Sequence, residues 1–138
     1  MKMRKLTVNI EWCDKNYCAS CNDDSLNGIV VATSKTLGGI KKEIADAIAF
    51  HIEGCLNDGD VLPEWIVNHE YELSFDYKFS VIMRMTMEYI PLSVLSRETG
   101  INQKQLSHYA NGTQTPREPM RERIMTAVHY IGSQLQVL

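Results

Sequence analysis

From Leu6 to Trp12 the chain alternates, with Leu6, Val8, Ile10 and Trp12 separated by Thr7, Asn9 and Glu11. A period of two predicts a half-buried strand. Cys13-Asp14-Lys15-Asn16 reads as a turn, because Asp and Asn bond their own backbone and tolerate positive φ. Tyr17, Ala19 and Cys21 then share one face of a second strand, completing a hairpin. Residues 22–28 are polar and turn-rich. Ile29-Val30-Val31-Ala32-Thr33 is apolar and mostly β-branched, which predicts a third, more central strand.

The period then changes. Leu37, Ile40, Ile44, Ala47, Ile48, Ile52, Cys55 and Leu56 recur at steps of three and four, with Lys41, Lys42, Glu43, Asp46 and Glu53 between them. This is the stripe of an amphipathic helix. Thr36 is placed to cap its start and Gly59 to close its end. Gly38 and Gly39 in the first turn each cost roughly 1 kcal/mol against Ala, and no neighbour in sequence explains them. Residues 61–64 end the element. Residues 69–77 alternate again, with Tyr71, Leu73, Phe75 and Tyr77 on one face, and predict a fourth strand. The order is β-β-β-α-β.

After Tyr77 every element reads helical. Phe79, Ile82, Met83 and Met87 fall at helical spacing, and the boundary between two domains is placed near residue 77, giving 1–77 and 78–138. The expected fold class is α+β, a small sheet-and-helix domain followed by about four helices.

Charge follows the same division. Residues 1–77 carry 7 Lys and Arg against 13 Asp and Glu, whereas residues 78–138 carry 7 against 4. An acidic front and a basic back point to two surfaces with different partners. No apolar run approaches the roughly 18 residues of a membrane span, and the basic start runs into a strand pattern, not a signal-peptide core. A cytoplasmic protein is expected.

The four cysteines include one C-x-x-C, Cys18 and Cys21, with Cys13 and Cys55 apart from it. Residues three apart on a strand face opposite ways, so this pair is poorly placed for a zinc tetrahedron. Free thiols in a reducing compartment are the plainer reading. Among the histidines, His51 fits a partly buried core position, His129 lies beside the last apolar stripe, and His69 begins a strand. The acids Glu11, Asp14, Asp23, Asp24 and Glu43 lie in turns or on polar faces, where solvation explains them better than metal-dependent nuclease chemistry does. No catalytic residue, metal or cofactor is expected.

Residues 92–111 carry the most informative pattern. Leu95 lies on a buried helix face and Ser96 is small enough for a close helix crossing. Gly100 supplies the positive φ of a sharp turn, and Ile101 plugs the corner. Leu106 and Tyr109 anchor a second helix that Gly112 ends. Its polar face shows Asn102, Gln103, Lys104, Gln105, Ser107 and His108, with Asn111 at the end and Arg97 on the helix before. Asn and Gln pair bidentately with adenine, and Lys reaches guanine or phosphate. This is a helix-turn-helix pattern, with an ordinary antiparallel helix pair as the alternative. A last helix carries Ile124, Ala127, Val128, Ile131 and Leu135. It starts either at Pro116, inside a Thr115–Glu118 capping box, or at Pro119.

The segment resembles the Cro/repressor type of helix-turn-helix, and Asn111-Gly112-Thr113-Gln114-Thr115-Pro116 is similar to the loop after that family's recognition helix. The front half resembles the HicB family of antitoxins, through Asp14-Lys15-Asn16-Tyr17 at the hairpin, Thr36-Leu37 opening the helix, and the run from His51 to Pro63. The resemblance implies a truncated ribonuclease H-like domain followed by a DNA-binding domain. It also implies two tasks: binding and neutralising a small basic HicA-like mRNA-cleaving toxin, and repressing the operon by binding double-stranded operator DNA. Single helix-turn-helix units grip half-sites, so a homodimer or higher oligomer is expected. A stand-alone regulator with a ligand-sensing or dimerising front domain is the alternative, and a metal-dependent nuclease is the third possibility.

Overall fold

The structure, a computed structural model, describes residues 3–138; Met1 and Lys2 of the basic start lie outside the described residues. The chain divides into two units, one ending at Lys78 and one starting at Phe79. The first is mixed β/α and the second is an all-helical bundle.

In the first unit β1 (Arg4–Cys13) and β2 (Asn16–Asp23) form the hairpin, and β3 (Gly28–Ser34) follows a single 3-10 turn at Asp24–Leu26. Asp14 takes φ 57° at the hairpin tip, the left-handed conformation that Asp tolerates. Helix α1 (Leu37–Asn57), a one-turn helix α2 (Glu64–Val67) and β4 (Tyr71–Tyr77) complete the unit. The sheet order is β3-β2-β1-β4, with β4 parallel to β1 and the other pairs antiparallel.

One face of this sheet is the core. Leu6, Val8 and Ile10 are wholly buried, in register with Leu73, Phe75 and Tyr77 of β4. Tyr17, Ala19 and Cys21 extend the face, and Ile40, Ile44, Ile48 and Ile52 of α1 cover it. Cys21 is buried while Cys18 lies on the other, open face, as strand spacing requires. Lys41 Nζ sits 5.1 Å from the Phe75 ring centroid and 5.7 Å from that of Tyr77, so its stem closes the aromatic end of the core.

Three sequence expectations are corrected. The third strand is an edge strand, not a central one, and Ile29 and Val31 are exposed. The fourth strand begins at Tyr71: α2 precedes it, and His69, at φ 56°, breaks the extended backbone. Leu56 falls off the buried stripe of α1 and is exposed.

The two glycines in the first turn of α1 separate cleanly. The Thr36 side chain caps the helix by accepting from the Gly39 N–H at 3.0 Å. A Cβ on Gly39 would lie 2.5 Å from Ser34 Oγ and 2.7 Å from Thr36 Oγ1, whereas one on Gly38 meets nothing within 4 Å. Gly39→Ala is therefore expected to destabilise the chain by about 1 kcal/mol through the disturbed cap. Gly38→Ala is expected to stabilise it by about 0.5–1 kcal/mol. Urea melts of the two variants check the opposite signs.

The second unit holds α3 (Phe79–Met87), α4 (Leu92–Thr99), α5 (Gln103–Asn111) and α6 (Glu118–Gln136). Its core is Phe79, Met83, Leu95, Ile101, Leu106, Tyr109, Ala110, Ile124 and Ala127. Phe79 and Tyr109 meet edge to face at 6.4 Å, which ties α3 to α5. The last helix starts between the two positions left open, one residue before the later one: Arg117 is the N-cap, Glu118 the first helical residue and Pro119 the second, and Pro116 is buried in the loop. Among the described residues no helix is long and apolar enough to cross a membrane.

Candidate nucleic-acid interface

The turn between α4 and α5 is built by four residues. Gly100 closes α4 at φ 75°, with its N–H on Ser96 O at 2.8 Å. Thr99 Oγ1 donates to Leu95 O at 2.7 Å and accepts from the Ile101 N–H at 3.2 Å. Ser96 Oγ donates to Ile101 O at 2.6 Å. Ile101 is thus held by both of its backbone groups while its side chain is buried. Ser96 gives more than small size: its hydroxyl satisfies a carbonyl that the turn would otherwise leave without a partner.

Helix α5 begins at Asn102, whose Oδ1 accepts from the Gln105 N–H at 2.8 Å. It ends at Gly112, again at φ 75°. Leu106, Tyr109 and Ala110 face the core. That orientation leaves Gln103 and Lys104 exposed and Ser107 half-exposed, with no side-chain hydrogen bond on any of the three.

The other residues of the expected set have protein partners. Asn102 is the cap. Gln105, half-buried, donates from Nε2 to Gln114 Oε1 at 2.5 Å. His108 lies 3.2 Å, Nδ1 to Oγ1, from Thr113, and its carbonyl accepts from the Thr113 and Gln114 N–H groups. Asn111 Oδ1 accepts a short bond from Arg84, whose Nε also donates to Ala110 O at 3.1 Å. Arg84 so neutralises carbonyls at the negative end of α5. Arg97 is exposed, with Glu98 3.7 Å away.

Two cations that no motif marks join this face. Arg117 and Arg123 line an open cleft of about 670 Å³ with Asn102, Gln105, Gln114 and Thr115, beside the N-terminal end of α5. Two guanidiniums at one place suit a phosphate. Spacing along the chain could not have shown this, because the residues converge only through the α5–α6 loop.

The front unit has a surface of a different kind. Phe50, which is 77% exposed, and Leu56 line a hollow of about 490 Å³ with Asp46, Glu53 and His69. Apolar anchors rimmed by carboxylates suit a basic protein partner. The remaining acids do not gather. Glu11 pairs with Lys78 at 3.0 Å, and that bond holds its carboxyl below the usual range. No three His, Cys, Asp or Glu side chains converge on a metal-sized site among the described residues. Burial, with Cys18 and Glu11 adding to it, pushes the Cys13 thiol up to about 12. Burial also raises Cys21 and Cys55. His51 lies on the inner side of α1, with Nε2 2.6 Å from Leu26 O.

No protein-family model, curated protein or solved structure matches this chain.

Proposed function

We propose that the chain is an antitoxin-type transcriptional regulator. Its helical unit reads operator DNA through α5, and its front unit binds and neutralises a small basic ribonuclease toxin of the HicA kind. The observation that carries this reading is the α4–α5 corner. A tight left-handed turn at Gly100 projects a capped helix whose free outward side chains are Gln103, Lys104 and Ser107. Gln103 is the base reader, Lys104 reaches a guanine or a phosphate, and Arg97, Arg117 and Arg123 hold the backbone. Asn102, Gln105, His108 and Asn111 set the shape and position of the helix and its following loop.

The β3-β2-β1-β4 order, with β4 parallel to β1 after an intervening helix, supports the truncated ribonuclease H-like reading of the front unit. The Phe50 hollow and the acidic balance of residues 1–77 support a basic protein as its partner. The protein acts in the cytoplasm and carries out no catalysis of its own.

Co-expression with the product of a neighbouring short basic reading frame tests the antitoxin task. The full chain is expected to bind that product and relieve its growth arrest. Phe50→Ala is expected to weaken binding about tenfold or more, as loss of a central aromatic anchor does. A neighbouring product that arrests growth whether or not the chain is present would leave the stand-alone regulator in place of the antitoxin.

A further inference from the structure

The sheet of the front unit has two unlike edges. Native edge strands are guarded by charge, proline or bulges, because their free N–H and C=O groups recruit further strands. Strand β4 follows this rule, with exposed Glu72 and Asp76. Strand β3 breaks it. Gly28–Ser34 holds no charged residue and no proline. It pairs with β2 through all seven residues in unbroken register, so no bulge turns it away. It also exposes Ile29 at 62% and Val31 at 67% on the open face of the sheet. Val30 between them is buried in the core, whereas most of the surface of Ile29 and Val31 is left to solvent.

We propose that β3 is the edge where a second copy of this chain joins, antiparallel about a two-fold axis at Val31, so that the two sheets become one. Val31 is the midpoint of the strand. Pairing there sets Val31 against its own copy, Ile29 against Thr33, Val30 against Ala32, and Gly28 against Ser34. Every pair is uncharged, and β-branched residues meet across the dyad on the open face, a favoured cross-strand arrangement. The same operation on β4, centred on Ser74, would set Glu72 against Asp76. Like charges directly opposite one another repel. One bare edge and one guarded edge give a closed dimer, not a growing filament. This surface goes beyond the proposed function and does not depend on it, since its test contains neither DNA nor toxin.

Analytical ultracentrifugation of the full chain tests the interface. The wild type is expected to sediment as a dimer of the 15.7 kDa chain. Val31→Lys puts two ammonium groups face to face at the axis and is expected to raise the dimer Kd at least tenfold. The far-UV circular dichroism should be unchanged, because Val31 projects into solvent. Val31→Glu is expected to behave alike, and an equimolar mixture of the two variants to recover the dimer. A monomeric wild type, a Val31→Lys dimer as tight as the wild type, or a mixture that stays monomeric would each overturn the proposal.

Discussion

Leu106→Ala is expected to unfold most of the helical unit at moderate temperature while the full chain is still made. Leu106 is wholly buried in α5 among Phe79, Met83, Leu95 and Ile124. Cutting a buried Leu to Ala removes transfer energy and leaves a cavity, at a cost of about 2–5 kcal/mol. Domains are stable by only about 5–15 kcal/mol, and a bundle as small as Phe79–Leu138 belongs at the low end. At roughly 4–8 °C per kcal/mol for a unit of this size, the melting point should fall by about 10 °C or more. Ser107→Ala, one position along and half-exposed, should change stability by no more than about 0.5 kcal/mol. Calorimetric melts of the two variants decide the point. Equal melting curves would mean that Leu106 is not the seat of α5.

Gln103→Ala is expected to act on recognition and not on folding. The side chain is exposed, makes no hydrogen bond among the described residues, and lies in the first turn of α5. A bidentate pair with a base edge contributes about 1–3 kcal/mol of discrimination. The variant should therefore lose roughly 5- to 150-fold on the cognate duplex and little on a scrambled one. Arg97→Ala should do the reverse. As a phosphate contact it carries no sequence information, so its loss weakens all duplexes alike and lowers the salt slope by about 1. Gel-shift titrations at two salt concentrations, on both duplexes, separate these outcomes. Equal loss on both duplexes for Gln103→Ala would remove α5 as the base reader.

Features decided by nearest neighbours were legible in the sequence. The alternation from Leu6 to Trp12, the isoleucine stripe of α1, the Thr36 cap, and Gly100 and Gly112 at positive φ all depend on the chain within a turn or two. What escaped depends on distant segments. An apolar run such as Ile29–Val30–Val31 reads as a strand buried on both faces, but sheet order is settled by which strand β4 joins, and it joins β1. Helix α2 spans only Glu64–Val67, too short for any period to register. Gly39 is needed because Ser34 Oγ approaches it across the bend into α1.

The candidate interface shows the same limit. Helical spacing placed Gln103, Lys104 and Ser107 outward. It could not show that Asn111 is held by Arg84 from α3, or that Arg117 and Arg123 close on the start of α5.

Selection of the full-length chain against a library of randomised duplexes tests sequence reading by α5 most directly. Enrichment of an inverted repeat is expected, with half-sites about one helical turn apart, or a multiple of that. The enrichment should collapse with Gln103→Ala at unchanged stability. A library that stays random under wild-type selection, at low and at physiological salt alike, would contradict it.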